Sequence, residues 1–344
     1  MREEIAEQPE ALRRTLEAVL PEVPALARLG AETRQVLFIA RGSSDNAAVY
    51  GRYLVEVGAG RLATLSSPSV ATTYGRRIDL DGVLAVALSQ SGRTEEIVET
   101  LAWAADCGAR TVAVTNEEHS PLAASAEVAL LTRAGVERAV PATKTYTTQL
   151  AALAVLGLAL RGDDPAFREA LHRVPDAVAA VIDPHDGVAE LAGRLTEIDG
   201  LVVSGRGYAY STALELALKF KEACYVSAEG LSYADLLHGP IAVLDGDTPV
   251  LLVAPGEGPV LAGMTALAHR ARALASPAYV IGGDAGLVAA CDAHVPGPDL
   301  PEYLAPIGLV VPGQLLVESV ALRMGIDPDA PRGLHKVTQT DGAS

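Results

Sequence analysis

The sequence predicts an α/β protein built from two tandem subdomains of one kind. Three observations carry that expectation. Apolar runs of strand length, such as Val83 to Leu88, show no alternation, which is how strands covered on both faces read. Several of these runs lead through a turn of small residues into a helical pattern. The order of these units then starts over near residue 200, where Arg206-Gly207 echoes Arg41-Gly42.

In chain order, residues 1–34 read as a helical segment and residues 35–160 as the first subdomain. "VLFIARGSSDNAAVYGRYLVEVG" gives strand, turn and helix, and "RLATLSSPS" gives a second strand. The run ending at Leu88 is the third strand. The helix after it is carried by Ile97, Leu101 and Ala105 and stopped by Gly108. "RTVAVTN" and "EVALLTRAG" are further strands, and "TYTTQLAALAVLGLAL" is a buried helix. Residues 161–190 carry Asp, Pro and helical pattern and form a connector. The second subdomain, 191–326, repeats strand, turn and helix in "LVVSGRGYAYSTALELALKFKE", then strand "TPVLLVAP", helix "VLAGMTALAHRARALA" and strand "PAYVIGG". An additional apolar strand is expected just after Gly239-Pro240, and residues 327–344 form a tail. A dinucleotide fold is disfavoured. In "GRGYAY" the third fingerprint glycine is Tyr210, and "RLATLSS" ends in serines where a ribose-binding acid would stand.

At 344 residues, 49% hydrophobic and 20% charged, the chain can bury a sizeable core. Its N-terminus is charged and amphipathic, and the apolar run "LAALAVLGLAL" is too short to span a bilayer, so a cytoplasmic protein without a membrane partner is expected. Cys107, Cys224 and Cys291 are odd in number and lack ligand spacing, so neither disulfides nor a metal site is expected. A net charge of −16 without a Lys/Arg run argues against nucleic acid. Only four of the 27 basic residues are lysines, namely Lys144, Lys219, Lys221 and Lys336. Each marks a place where arginine does not serve, since lysine can lose its proton, form an imine or present a compact charge.

Two clusters carry chemistry. Ser89-Gln90-Ser91-Gly92-Arg93-Thr94 lies where a buried strand hands over to a helix. Backbone N–H groups and the positive end of a helix dipole meet there, and small hydroxyls let an anion approach; the plainer alternative is a helix cap by Ser91 or Thr94. In "STALELALKFKE", Glu215, Lys219 and Glu222 form one stripe on a helix that is otherwise apolar nearly all round, so the stripe is expected to face a wet cleft. Lys221 points away and reads as a structural ion-pair residue. His238 lies in a loop, and Lys336 follows His335 in the tail.

Taken together and in order, GSS, SQSGRTEE, AVPATKTYTTQL, ALELALKFKE, LLHGP and GLHKVTQT resemble the double SIS (sugar isomerase) domain family. The resemblance runs from about residue 35 to the end. It is to the isomerase half of glutamine-dependent glucosamine-6-phosphate synthase and, more closely, to stand-alone glucosamine-6-phosphate deaminases. It implies two tandem SIS subdomains, each a three-layer sandwich with a central parallel sheet flanked by helices. It implies that Ser44, Ser89, Gln90, Ser91 and Thr94 bind phosphate and that Ser43 contacts a sugar hydroxyl. Glu222 would move the proton between C1 and C2, and His238, from the neighbouring subunit of a homodimer, would open the ring. Lys336 would stand at the carbonyl end, with Lys219 and Glu215 beside them. Arg93 and Leu237 depart from the synthase pattern, which has an acid and a lysine there.

The expected reaction is the isomerising deamination of glucosamine 6-phosphate to fructose 6-phosphate and ammonia, with no metal or organic cofactor. The chain opens Met1-Arg2-Glu3-Glu4 and has no cysteine before Cys107, so glutamine hydrolysis by an N-terminal cysteine is not expected. The alternatives are a deglycase or aldose/ketose isomerase for another sugar phosphate, and a non-catalytic phosphosugar sensor. A sensor is disfavoured because no room for a DNA-binding segment precedes the first strand.

Overall fold

The computed structural model describes residues 1–182 and 186–336. The chain divides into two compact units. The first comprises Glu10–Glu137, Lys144–His172 and His335–Ser344; the second comprises Met1–Pro9, Arg138–Thr143 and Arg173–Leu334. In chain order the elements are α1 (Arg2–Ala6), α2 (Gln8–Val19), α3 (Val23–Ala31), β1 (Gln35–Ile39), α4 (Ser43–Tyr53), β2 (Leu62–Leu65), α5 (Ser69–Thr72), β3 (Val83–Leu88), α6 (Glu95–Asp106), β4 (Arg110–Thr115), α7 (Pro121–Ser125), β5 (Val128–Leu131) and α8 (Lys144–Arg161). Then come α9 (Pro165–Ile182), α10 (Asp186–Leu195), β6 (Gly200–Gly205), α11 (Tyr210–Lys219), β7 (Ser227–Ser232), α12 (Tyr233–Leu237), β8 (Val250–Ala254), α13 (Leu261–Ala273), β9 (Ala278–Gly282), α14 (Ala285–Ala290), β10 (Ala293–Val295) and α15 (Ala305–Arg323).

Each unit holds one five-stranded, all-parallel sheet, ordered β2-β1-β3-β4-β5 in the first and β10-β9-β8-β6-β7 in the second. Read from β7, the second order is 7-6-8-9-10, the same topology offset by five strands. The internal repeat expected from the sequence is thus a repeat of topology. The likeness extends to a local irregularity, because α4 and α11 both pass into a π-helical turn, Leu54–Gly58 and Phe220–Cys224. Inserting one residue per turn in this way re-aims the side chains that follow and is frequent at functional sites.

The central strands are apolar on both faces because helices cover both. On one side of the first sheet, Ala85, Ala87 and Ala113 pack with Ile97, Leu101 and Ala104 of α6. The other main helix of that unit, α8, is buried from Lys144 to Leu160 and packs on α3 and α4. In the second unit α15 has the same character and packs on α10 and α11. It is long and apolar enough to cross a membrane by length and composition, with mean hydropathy 1.6, yet 89% of that stretch is buried inside the protein. Continuous apolar runs alone did not single it out, because Gln314 and Glu318 interrupt the pattern.

Some sequence expectations fail locally. Pro240–Val243, read as the start of an apolar strand, forms a 3₁₀ turn. The strand near it is β7, whose sequence Ser-Ala-Glu-Gly-Leu-Ser lacks strand signals because it runs at the sheet edge and borrows its partner from β6. Lys221 is exposed and makes none of the ion pairs seen among the described residues, so the π turn presents it to solvent rather than to a partner.

Because α8 is buried along its length, Leu156→Ala is expected to cost about 2–5 kcal/mol by leaving a cavity. Leu62→Ala, at a side chain that is 62% exposed, should stay within about 0.5 kcal/mol of wild type. Urea unfolding midpoints measured by circular dichroism check both.

Candidate functional site

In the order 2-1-3-4-5, the turns after β1 and β3 leave the sheet in opposite directions along its edge, which opens a crevice at their carboxyl ends. A cavity of about 110 Å³ lies there, lined by Arg41, Ser44, Leu88, Ser89, Gln90, Ser91, Thr94, Ile97 and Lys336. Five of the six expected phosphate and sugar contacts are therefore brought together. Ser43 begins α4 next to Ser44 but is not among the lining residues.

The local backbone explains the cradle. Gly92 takes φ +60°, and a β-carbon on it would meet Ser120 Oγ at 2.2 Å, so the turn needs glycine for both conformation and space. Arg93 N donates to Ser91 Oγ at 3.2 Å, and the hydroxyls of Ser89 and Thr94 lie 3.3 Å apart. Thr94 occupies the N-cap position of α6 with extended backbone, yet its side chain makes no capping hydrogen bond. Ser120, Ser232 and Asp284 do cap α7, α12 and α14. At α4 the N-cap is Gly42, again without a side-chain cap. Two helix starts thus meet the cavity with no side-chain oxygen capping them.

Two cations reach the cavity in this acidic chain, each paired with a carboxylate. Arg41 lines the cavity and makes a bidentate pair with Glu96, both bonds 2.9 Å. Lys336 lines it and donates to Glu137 Oε2 at 2.5 Å. Glu137 is buried and also accepts from Thr145, at 3.0 Å from the amide and 2.6 Å from the hydroxyl. Burial pushes its carboxyl up, but the Lys336 charge and the hydrogen bonds from Lys336 and Thr145 outweigh this and hold it below the usual carboxylate range. Arg41 and Glu137 were missed in the sequence. The Arg-Gly echo pointed at the first; Glu137 precedes AVPATKTYTTQL with no pattern of its own.

The second unit carries the ion group on α11 and its π turn. Lys219 hydrogen-bonds to Glu222 and lies 3.4 Å from Glu215. Expected to face a wet cleft, the stripe is mostly interior: the side chains of Glu215 and Lys219 are 0% and 1% exposed, and only Glu222, at 22%, meets solvent. The apolar surroundings of α11 close over it. Burial works against the Lys219 charge, but Glu215 and Glu222 outweigh it and raise its pKa, so this lysine stays protonated. His238 is exposed at the end of α12, its amide bonded to Asp235 O at 3.1 Å, and its imidazole has no partner among the described residues.

The turn of the second sheet that matches the hydroxyl loop reads Pro255-Gly256-Glu257-Gly258-Pro259-Val260 and has no hydroxyl. The carboxylate of Glu302 lies against Gly258, 2.7 Å from where a β-carbon would stand. Burial and the neighbouring Glu257 push the Glu302 carboxyl up. Cys224 and Cys291 are pushed up to about 12 by burial, which makes them unreactive thiols. No group of His, Cys, Asp and Glu suited to a metal occurs among the described residues.

Two parallel sheets of identical order, with a hydroxyl-lined cavity at the switch point of one, define a doubly wound α/β protein duplicated in tandem. The SIS domain family matches residues 31–159 and 194–295, and the chain belongs to that family as two tandem SIS subdomains. It is 35% identical over 341 residues to glutamine--fructose-6-phosphate aminotransferase [isomerizing] of Pyrococcus horikoshii, covering 98% of this chain and 57% of that protein. The chain thus spans a little over half the length of that relative. The C-terminal domain of glucosamine-fructose-6-phosphate aminotransferase from Francisella tularensis superposes with TM-score 0.86 at 27% identity, over 95% of this chain and 96% of that one. Glucosamine-6-phosphate deaminase from Thermotoga maritima superposes with TM-score 0.79 at 24% identity, over 98% of both chains, a likeness of fold.

The depressed Glu137 pKa makes a signed prediction. Its contribution to stability is present above the ordinary glutamate value of 4.5 and fades as pH falls through the lower folded value. Glu137→Gln should therefore be less stable than wild type at about pH 7, with the gap narrowing as pH falls below the ordinary glutamate value. Urea unfolding across that range checks it; a gap independent of pH would contradict the assignment.

Proposed function

We propose that the chain is a phosphosugar isomerase of the deaminating kind, converting glucosamine 6-phosphate to fructose 6-phosphate and ammonia. The observation that carries it is the ion group on α11. Only Glu222 of its three members is open to solvent, and protonated Lys219 holds that carboxylate in place. The hydroxyl cavity, with two helix starts and two cations, suits the phosphate ester. The likeness to the isomerase half of an aminotransferase supports proton transfer between C1 and C2.

In this reading Ser44, Ser89, Gln90, Ser91 and Thr94 bind the phosphate, Ser43 a sugar hydroxyl, and His238 assists ring opening. Glu222 removes the C2 proton, giving a 1,2-enolamine. Reprotonation at C1 gives a ketimine at C2, and water hydrolyses it to the ketose and ammonia. A positioned acid/base of this sort contributes about 10²–10⁴-fold. Lys336 stabilises the oxygen at C1, a role Lys219 cannot share by direct contact because it is buried. Lys219 and Glu215 instead fix the Glu222 carboxylate. The chemistry asks only for proton transfer and water.

The test is a panel of hexosamine and hexose 6-phosphates assayed for ammonia and ketose phosphate. Glucosamine 6-phosphate should release both, and Glu222→Gln should abolish C2 proton exchange while changing sugar-phosphate affinity by less than about tenfold. Ketose without ammonia, from a hexose phosphate alone, would make the chain a plain aldose/ketose isomerase; binding without turnover would make it a sensor.

His238 is proposed to act in the site of a second copy in a two-fold dimer. Glu222→Gln and His238→Ala proteins, each inactive, should regain activity when mixed, because one site of each mixed dimer has both wild-type residues. Random exchange predicts recovery of roughly a quarter of wild type. Exchange shown by mass spectrometry without recovered activity would refute the shared site.

A further inference from the structure

Tyr225 lies just past the π turn that carries Glu222, and its backbone is left-handed, with φ 57° and ψ 21°. That conformation is unfavourable for a residue with a β-carbon and persists only where the surroundings impose it. Tyr225 is 36% exposed, so it lies outside the buried core. Among the described residues its side chain's hydrogen bond and ring contact are both to one residue, Arg332. The Arg332 guanidinium lies over the ring, 4.3 Å from its centroid, and the Arg332 amide donates to the tyrosine hydroxyl at 2.8 Å. Arg332 stands four positions before Lys336. Upstream, Asp329 is held by its carbonyl, which accepts from Val140 N at 3.1 Å, and by its carboxylate, which pairs with the Met1 amino group. Between Asp329 and Lys336, Arg332 alone among the described residues has a polar or ring contact.

We propose that Tyr225 is a positioning residue for the C-terminal lysine: it latches the tail through Arg332, so that Lys336 is presented to the substrate, and it closes the turn bearing Glu222. This rests on the roles given above to Lys336 and Glu222. The side chain that would be dispensable in a simple turn, where glycine is the relaxed choice, is kept because the tail needs a clamp.

The experiment compares Tyr225→Gly, Tyr225→Phe, Arg332→Ala, Lys336→Ala and the Tyr225→Gly/Lys336→Ala double variant in the full chain. Two readouts are taken: kcat and KM for glucosamine 6-phosphate, and the rate of native-state tryptic cleavage after Lys336. Tyr225→Gly relieves the backbone, so its unfolding midpoint should equal or exceed wild type, while kcat falls about tenfold or more with KM within about threefold. Tail cleavage should accelerate about tenfold in Tyr225→Gly, about as much in Arg332→Ala, and less in Tyr225→Phe, which keeps the ring. Adding Tyr225→Gly to Lys336→Ala should cost no further activity, since the latch acts through that lysine. Unchanged cleavage, or fully additive losses with Lys336→Ala, overturns the latch. If the wild type turns over no hexosamine phosphate, the functional reading fails, and the cleavage rates still decide whether Tyr225 clamps the tail.

Discussion

Everything at the candidate site follows from having only parallel strands. Each strand must hand over to its helix at the same edge of the sheet, so helix N-termini and their unbonded amides gather along that edge. The order 2-1-3-4-5 then separates the turns after β1 and β3, and the crevice between them is the one place on the edge where a ligand can reach two helix starts at once. The hydroxyls, Gly92 and the two cations elaborate a position that the topology had already chosen.

The ion group on α11 shows how a carboxylate at the boundary with solvent is held still. Breaking a buried pair by removing one partner costs about 3–5 kcal/mol, because a charge is left without compensation. Lys219 is therefore tied to Glu215 in the interior, and its remaining hydrogen-bonding capacity goes to Glu222 at the boundary with solvent. The π turn is what makes this arrangement. Lys219 ends the regular helix and Glu222 sits in the wider turn, so the interior and boundary carboxylates lie on opposite sides of the lysine along the chain.

Much of this could be read from residue order. The apolar runs announced buried parallel strands, and the restart near residue 200 announced a second sheet, because burial on two faces removes alternation. The hydroxyl cluster was legible as a strand-to-helix handover with room for an anion, and the absence of a capping bond from Thr94, which separates that reading from a plain helix cap, took the structure to see. What escaped was whatever depends on a distant partner. The strand β7 is defined by pairing with β6 rather than by its own composition, and Glu137 matters only because Thr145 and Lys336 converge on it. The burial of Glu215 and Lys219 escaped as well, since a stripe of charge reads the same at a cleft and inside a core.

The two sheets share a topology but not an occupancy. Where the first sheet has hydroxyls around a cavity, the second has Gly258 with the Glu302 carboxylate against it and Glu257 close enough to raise its pKa. An anion arriving there would meet two acidic side chains in a space the protein has already filled with its own. The duplicated fold therefore repeats its topology without repeating its pocket: the hydroxyl-lined crevice at one switch point is answered at the other by a turn that the protein fills with its own carboxylate.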